Sequence, residues 1–429
     1  MAYMWFGVSK VRFAVVGVAV AVGLGFGAQL AHGVDTKTYG LLNLFGDTYD
    51  RVKRSYVEAV PDEKLVRAAL NGLLAALDPE STFLTPADYK ALQEHRGHVY
   101  DSLGLVITMQ DGEARVIAPL DNTPAARAGL QPGDLIVDIS GTPVFGMTLT
   151  ETIQSLQGAP GSTVDLILVR QGIDPFLVTL TRETVAEPKL TYRLVGGEGY
   201  VRIPMFTDTT PAELAAAIDK MRGQAGVNFE GVVLDLRDTP GGPLDAALKV
   251  ADAFIETGKM VETRGRGDAD VKAYTATAGD ILKGLPVVIV VDGGTASVAE
   301  VVTAALQDRN RGIVVGSKTF GKGSVQTLVP MGDAGYVQLT TATYFTPSGK
   351  SINEGVLPGT LVEQARLVLP QSQFPRRTEA TLKGALDIPA GGPGGGTAPV
   401  ERTDPNDYQL TRAFDLLHAL SVVHQGRTN

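Results

Sequence analysis

The sequence predicts an α/β protein, with a parallel-sheet core that follows an N-terminal helical region and a β-rich insert. Three observations support this fold class. Apolar runs typical of buried strands, such as 231–237 and 287–291, alternate with segments of helical spacing, as in βαβ units. Residues 97–185 contain short apolar segments separated by glycines, a pattern typical of strands and tight turns. Residues 36–96 carry apolar side chains three and four positions apart, which indicates helices.

The composition alone excludes several classes of function. The chain has 429 residues, enough for two or three domains, and a formal net charge of −9. This charge, together with the lack of long basic runs, argues against nucleic acid as a partner. The absence of cysteine excludes disulfides, thiol catalysis and thiolate metal sites. The sequence implies no metal and no cofactor.

A basic start and a long apolar run open the chain. Lys10 and Arg12 precede an uncharged segment from Phe13 to Ala31. This pattern predicts an export signal or an uncleaved membrane anchor over residues 1–33, rather than a buried cytosolic helix. We therefore expect the rest of the protein to be exported, either periplasmic or anchored to the outer face of the cytoplasmic membrane.

Changes in composition divide the rest of the chain. After the core, a segment rich in proline and glycine indicates a flexible linker. A last segment carries Leu410, Phe414 and Leu417 at helical spacing and indicates a terminal helix. The predicted organisation is a signal or anchor over 1–33, a helical region over 34–96, a β-rich insert over 97–185, the core over 186–370, a linker over 371–403 and a helix over 404–429.

One stretch of the core combines a candidate nucleophile with a candidate base. Residues 287–291 read as a buried strand, the next three as a turn, and Ser297 lies in the first turn of the following helix. Unpaired N–H groups and the helix dipole favour negative charge there. Lys322 follows in the glycine-rich loop over 316–323. That loop also resembles a phosphate-binding loop, but Gly323 occupies the position of the hydroxyl residue, so we reject a nucleotide site.

A serine hydroxyl needs a base to act as a nucleophile. Histidine is the usual base, and none lies between residues 99 and 417. A Ser-His-Asp triad would require a terminal histidine to fold back onto the core. The remaining candidate is Lys322, which can act only as a neutral amine and needs burial to lose its proton. The simpler alternatives are that Ser297 is a helix cap and Lys322 a solvated loop residue. The histidines are His32, His95, His98, His418 and His424.

Three blocks of the core resemble the signature motifs of the C-terminal processing peptidases. They are GGTASVAEVVTAALQD, VVGSKTFGKGSVQ and TATYFTPSGKSINEGVLP. These peptidases are serine proteases with a Ser-Lys dyad, an inserted PDZ domain and a crotonase-like core. The resemblance extends over residues 36–370. It implies that Ser297 is the nucleophile, Lys322 its base and Gln326 the residue that holds the lysine.

The resemblance also implies an oxyanion hole at the turn over 238–242. In the family, a backbone N–H of this turn donates to the oxyanion. Pro243 has no N–H, so Gly241 or Gly242 would supply this donor and Val298 the second one. Val298 stands where the family usually has alanine, but its N–H belongs to the backbone.

The β-rich insert resembles a PDZ domain, most clearly in the block AARAGLQPGD. Leu103, Gly104 and Leu105 would present backbone N–H groups to a terminal carboxylate, beside a strand that can pair with an extended peptide. Residues 148–156 would form the helix along this groove. Gln157 stands near the place where the family usually has an arginine, so we do not transfer the family's coupling of the PDZ domain to the active site to this chain, and the question stays open. The alternative is a structural insert that binds nothing.

The leading hypothesis is a serine endopeptidase that captures and cleaves near the C-terminal tails of exported proteins. The alternative is a catalytically silent PDZ-type peptide-binding or scaffold protein that kept the fold. Bacterial relatives use the N-terminal region to dimerise, so the resemblance also implies a homo-oligomer. Within that region, an L-D-P-x-S turn carries Glu80 where the family usually has histidine.

Overall fold

The computed structural model describes residues 36–94, 100–267, 269–365 and 407–428. The predicted signal or anchor over 1–33 and the predicted linker over 371–403 lie outside the described residues. Among the helices of the described ranges, none is long and apolar enough to span a membrane. The chain divides into two compact units, residues 1–69 and 70–429.

The described part of the first unit is helical. It holds α1 (Thr36–Ser55) and the beginning of α2 (Asp62–Ala75). Lys53, in the last turn of α1, pairs with Asp62 and holds the pKa of that carboxyl below its usual range. A cation in the last turn of a helix is favourable because the carbonyl end of the helix carries partial negative charge.

The β-rich insert follows the end of α2 in the second unit. Between residues 82 and 185 the elements are β1 (Thr82–Leu84), α3 (Pro86–Glu94), β2 (Tyr100–Ser102), β3 (Leu105–Gln110), β4 (Glu113–Pro119), α4 (Pro124–Arg127), β5 (Leu135–Ile139), β6 (Thr142–Pro143), α5 (Leu149–Leu156), β7 (Thr163–Val169), β8 (Phe176–Thr181) and β9 (Glu183–Val185). Strands β3, β4, β5, β7 and β8 pair antiparallel in that order, with β6 beside β5. Strand β3 is therefore at the edge of this sheet.

The core occupies the rest of the described chain. Its elements are β10 (Thr191–Val195), β11 (Glu198–Arg202), α6 (Thr210–Ala225), β12 (Gly231–Asp235), α7 (Leu244–Asp252), β13 (Gly258–Arg264), β14 (Val271–Ala276), β15 (Val287–Val291), α8 (Val298–Asp308), β16 (Ile313–Gly316), β17 (Ser324–Pro330), β18 (Tyr336–Phe345), β19 (Thr360–Leu361) and α9 (Tyr408–Thr428). The central sheet has the strand order β10-β11-β12-β15-β16-β19.

The core has one mixed sheet and borders on one antiparallel sheet, which differs from the predicted parallel sheet. In the central sheet, β11 to β19 pair parallel, but β10 joins the edge antiparallel to β11. A second sheet is antiparallel and joins β1, β18, β13 and β14, with β17 beside β18. The sequence did not reveal this second sheet, because alternating apolar residues do not specify which strand a strand pairs with.

The central sheet is covered on both faces, which explains why its strands are apolar throughout. Side chains on one face of the sheet, such as Leu234 and Ile289, pack in the cluster that includes α6, α7 and α8. Side chains on the other face, such as Val233 and Val288, pack against Phe414 of α9. The two sets alternate along each strand, as the period of two requires.

Helix α9 is tied to its face of the sheet by polar contacts as well. His418 Nδ1 lies 3.2 Å from Glu230 Oε2 and 3.4 Å from Glu198 Oε1. Arg237 joins Asp235 of β12 to Asp407, the residue before the helix, at 2.6 and 2.8 Å. His418 is therefore engaged by carboxylates on the face opposite α8, and it does not supply the histidine that a triad with Ser297, the residue before α8, would need.

Candidate active site

Ser297 lies between the turn after β15 and the first residue of α8. Its backbone has φ +56° and ψ −123°, a strained conformation for a residue with a side chain. The residues on either side hold it in place: Ala296 N donates to Thr239 O at 2.9 Å, and Phe320 N donates to Thr295 O at 3.0 Å. The turn that presents the hydroxyl is therefore fixed from two neighbouring loops.

A buried carboxylate joins this serine to the lysine loop. Glu300, in the first turn of α8, is fully buried. Its Oε2 accepts from the N–H groups of Ser297 at 2.9 Å and Lys322 at 2.8 Å. Its Oε1 accepts from Gly321 N at 2.7 Å and from the hydroxyl of Thr319. Burial raises the pKa of Glu300 to about 7, and these four donors oppose that rise.

The side chains of the predicted dyad are not joined in this arrangement. Lys322 Nζ lies 2.8 Å from Glu80 Oε1, which also accepts from Thr108 Oγ1 at 2.8 Å. In the described part of the chain, no hydrogen bond links Lys322 Nζ to Ser297 Oγ. The backbone N–H groups of Ser297 and Lys322 thus meet at Glu300, whereas the amine of Lys322 pairs with Glu80.

Gln326, the predicted holder of the lysine, lies on β17. Its Nε2 donates to Ser324 Oγ at 3.1 Å and to Thr340 Oγ1 at 2.9 Å. Within the described residues no hydrogen bond joins it to Lys322. The side chain is therefore anchored across β17 and β18, on the strand that directly follows the lysine loop.

Gly241 lies against the serine, at the place predicted for an oxyanion donor. A side-chain Cβ on Gly241 would be 3.1 Å from Ser297 Cβ and 3.3 Å from its Oγ. Gly242 is tighter still, since a Cβ there would meet Phe206 O at 2.1 Å. Both glycines have positive φ, 132° and 142°. Only glycine allows this turn to approach the serine so closely. Val298, the other predicted donor, is buried in the first turn of α8.

The predicted peptide-binding loop precedes the edge strand β3. Leu103 is buried, and its carbonyl accepts from Ala125 N at 3.0 Å. Gly104 has φ +72°, and a Cβ on it would overlap the side chain of Thr123. Leu105 begins β3, and α5 packs beside that strand. The loop, the edge strand and the helix thus adjoin one another, as recognition by strand addition requires.

The insert packs directly on the turn that precedes Ser297. Ile117 and Ala118 of β4 form a small apolar cluster with Ala296, and Phe320 of the lysine loop packs against it. The Arg115 guanidinium lies 5.2 Å from the centre of the Phe320 ring. Any displacement of β4 therefore changes the surroundings of both loops that form the site.

The comparisons with known proteins agree with these motifs. Residues 197–362 match peptidase family S41, and residues 115–170 match the PDZ domain. The chain is 37% identical over 422 residues to the carboxy-terminal-processing protease of Bartonella bacilliformis, and the match covers 96% of each chain. The chain belongs to peptidase family S41. It is therefore a serine-type peptidase with a PDZ domain, as the motifs predicted.

Two further relatives of this S41 peptidase are more distant. The carboxy-terminal processing protease CtpA of Bacillus subtilis is 32% identical over 316 residues, which are 72% of this chain and 66% of that protein. Among solved structures, the photosystem II D1 C-terminal processing protease has a TM-score of 0.65 and 31% identity. That match covers 75% of this chain and 92% of the other.

Sequence reasoning missed several acidic residues of this S41 peptidase. The contact of Glu300 with Ser297 could have been predicted, because a serine followed three positions later by glutamate is the spacing of a capping box. Asp292 and Asp238 follow β15 and β12, and Asp292 Oδ1 accepts from Asp238 N and Gly294 N, both at 2.9 Å. These bonds join the turn that precedes Ser297 to the turn over 238–242. No local pattern placed Glu80 beside the lysine.

Asp238 and Asp292 are both partly buried acids, and their proximity affects stability. Among the residues that the structure describes, none makes a hydrogen bond to Asp238 Oδ1. Burial, together with the neighbouring charge of Asp292, raises the pKa of Asp238 to about 7. Burial also raises the pKa of Asp292. Between the usual aspartate pKa of about 3.9 and about 7, the folded protein holds a proton that the unfolded chain has released, so stability falls as pH rises.

We therefore expect Asp238→Asn to stabilise the S41 peptidase increasingly as pH rises. The gain in unfolding free energy over wild type should grow by roughly 2 kcal/mol between pH 5 and pH 8, because asparagine has no charge to desolvate. Urea unfolding across this range measures the gain. Asp208→Asn, at an exposed position, is the control. A gain that is the same at every pH would contradict the assignment.

Proposed function

We propose that this S41 peptidase cleaves near the C-terminal tails of exported proteins with a Ser297–Lys322 dyad. The observation that carries the proposal is Glu300, one oxygen of which accepts from the backbone N–H groups of both residues. A single buried atom thereby fixes the serine turn and the lysine loop next to each other. The crotonase-like relationship of the core is part of the same proposal.

The chemistry follows from the positions of these groups. Ser297 Oγ forms a bond to the scissile carbonyl carbon while neutral Lys322 takes its proton, and the carbonyl oxygen becomes an oxyanion. The backbone N–H groups of Gly241 and Val298 stabilise that charge, and losing one such donor costs about 10²–10³ in rate in known cases. The C–N bond then breaks as Lys322 returns the proton to the leaving amine. Water releases the acyl group by the same steps.

This chemistry requires the lysine amine to leave Glu80. A rotation of its side chain within a loop whose backbone is held by Glu300 is sufficient, because the Lys322 N–H bond to Glu300 need not break. In the rotated position, Gln326 on the following strand would help to orient the amine. A lysine side chain has four rotatable bonds, so this movement requires no rearrangement of the sheet.

A catalytically silent peptide-binding protein is the second candidate. The observation that favours it is the ion pair between Lys322 and Glu80, which leaves the serine without its base. A serine-reactive probe separates the two candidates. A silent protein would not react with a fluorophosphonate at Ser297 in any condition in which it binds peptide.

Substrate selection is assigned to the PDZ domain. Leu103, Gly104 and Leu105 would receive the terminal carboxylate, and the substrate tail would add as a strand to the edge of β3. Strand β4 packs against Ala296, the residue before Ser297, and this packing supports delivery of the bound substrate to Ser297.

The cellular location and assembly are also proposed from the sequence. Lys10 and Arg12 before the apolar run to Ala31 support export or anchoring. The helical region over 34–96 is the proposed site of homo-oligomer formation. Separating membrane, periplasmic and cytoplasmic fractions of expressing cells would test the location directly.

We expect Ser297→Ala and Lys322→Ala each to abolish cleavage of an unfolded protein substrate. The loss should be at least about 10³-fold for the serine and about 10²–10⁴-fold for the lysine, because the two act as nucleophile and base. The double variant should be no worse than Ser297→Ala alone. Lys318→Ala, an exposed lysine of the same loop, is the control. Cleavage near the wild-type rate in either single variant would exclude the dyad.

Amidating the C-terminus of a substrate peptide should slow its cleavage about ten-fold or more at low substrate concentration. The amide removes a charge that backbone N–H groups would bind, which is worth about 1.5–3 kcal/mol. In Gly104→Ala, whose added Cβ would overlap Thr123, this difference should shrink. Gly223→Ala, in an open position on α6, should keep it. Equal cleavage of free and amidated tails by the wild-type protein would leave the PDZ domain without this role.

A further inference from the structure

Three side chains that can bind a metal ion converge on the face of the central sheet that α9 covers. They are Glu198 of β11, Glu230 before β12 and His418 of α9, and one donor atom of each lies within 4.8 Å of the others. His418 Nδ1 is 3.2 Å from Glu230 Oε2 and 3.4 Å from Glu198 Oε1. The three residues are far apart in the sequence, so no local spacing of the kind that marks a zinc motif could reveal them.

The sheet holds the two carboxylates side by side. Strands β11 and β12 are parallel, and Glu198 pairs with Gly231, the residue after Glu230. The backbone N–H of Glu230 donates to Gly197 O at 2.8 Å. A Cβ on Gly197 would lie 2.0 Å from Asn228 O, so only glycine allows this close approach. The two acids therefore begin neighbouring strands at the same end of the sheet.

Helix α9 brings the nitrogen donor to the same place. Phe414 packs against the sheet, and His418 follows it four positions later on the same face of the helix. Tyr200 packs in the same cluster as Phe414. Glu198 precedes Tyr200 by two residues on β11, so its side chain also faces α9. The convergence of the three donors thus follows from the periods of the strand and the helix.

The burial of Glu198 and the distances at His418 favour a cation between the three groups. Only 2% of the Glu198 side chain is exposed, against 22% for Glu230 and 46% for His418. Two converging carboxylates repel each other, and a cation between them offsets the cost of burying one. An N–H on Nδ1 points in one direction, so it cannot form a straight hydrogen bond to both oxygens. Its distances to them, 3.2 and 3.4 Å, are at and beyond the long end of the usual range.

The same distances fit a tetrahedral metal ion. Zn²⁺ binds an imidazole nitrogen at about 2.0–2.1 Å and a carboxylate oxygen at about 2.0–2.2 Å. Two ligands of a tetrahedron are about 1.6 bond lengths apart, which is roughly 3.3–3.5 Å for these bonds. The nitrogen donor favours Zn²⁺ over Ca²⁺ and Mg²⁺, which prefer oxygen ligands.

We propose that Glu198, Glu230 and His418 form a Zn²⁺ site that holds α9 on the central sheet. Water would complete the tetrahedron on the side where His418 is exposed. Ser421, one turn further along α9, donates its hydroxyl to Glu230 Oε2 at 3.0 Å, and such an outer contact orients a ligating carboxylate. The site lies on the face of the sheet opposite α8, so it is separate from the proposed chemistry at Ser297.

The test measures metal binding by the untagged full-length protein, because a histidine tag would bind the same metals. Co²⁺ is the probe, since four-coordinate Co²⁺ absorbs visible light far more strongly than six-coordinate Co²⁺. The wild type should bind one Co²⁺ per chain with the strong spectrum. Zn²⁺ should displace this Co²⁺, whereas an excess of Ca²⁺ should not.

Variants of the three ligands show whether the bound metal is at this site. His418→Ala and Glu230→Gln should each weaken Co²⁺ binding at least about ten-fold and abolish the strong spectrum. Glu230→Gln is a mild change at a partly exposed position, so it measures the loss even if His418→Ala does not fold like the wild type. His424→Ala removes the other histidine of α9 and should keep both the affinity and the spectrum.

A second readout reports on α9 itself. A ligand that binds only the folded protein stabilises it, so Zn²⁺ should raise the thermal unfolding midpoint of the wild type. It should also slow hydrogen exchange of the backbone amides of α9. Both effects should persist in His424→Ala and be lost in His418→Ala and Glu230→Gln.

The outcomes are decisive in each case. A six-coordinate spectrum, or binding that His418→Ala and Glu230→Gln leave unchanged, would overturn the inference. Absence of metal binding would overturn it as well, and stronger protection of α9 at acid pH would then show that a proton on His418 joins the two carboxylates. None of these results bears on Ser297 or Lys322, so the inference can fail while the proposed function stands.

Discussion

The site depends on the hydrogen bonds to one buried carboxylate. Glu300 gathers donors from the serine turn and from the lysine loop, namely Ser297, Thr319, Gly321 and Lys322. A buried carboxylate without donors would be costly, and three partly buried N–H groups without an acceptor would be costly too. Each side therefore stabilises the other. The relative position of the serine turn and the lysine loop follows from this interaction and from the apolar helix that carries Glu300.

Three regions of the chain meet at the lysine amine beside this centre. The loop itself supplies Lys322, the turn before β1 supplies Glu80, and the edge strand of the insert supplies Thr108. Ala296 of the nucleophile turn packs against β4 of the same insert. The insert and the loops of the proposed dyad are thus adjacent within one unit of the fold.

The sequence predicted the features that are local and missed those that depend on distant pairing. The positions of Ser297 and Lys322 could be predicted because each depends on elements that are close in the sequence. Ser297 lies between a strand and a helix, and Lys322 lies in a glycine-rich loop shortly after them. The motif predicted that Gly241 lies in a tight turn. Its close approach to Ser297 depends on the packing of two distant loops, which the motif does not specify. Glu80 could not be placed, because it reaches Lys322 only through the pairing of β1 with β18, and β17 pairs with that same strand. Alternating patterns do not specify such partners.

The central claim is that Lys322 serves as the base of Ser297 after it leaves Glu80. A crystal structure of the protein with a peptidyl phosphonate bonded to Ser297 would test this most directly. The account predicts Lys322 Nζ within hydrogen-bonding distance of Ser297 Oγ, the phosphonyl oxygen on the N–H groups of Gly241 and Val298, and no ion pair to Glu80. A lysine still paired with Glu80 beside a covalently occupied serine would contradict it.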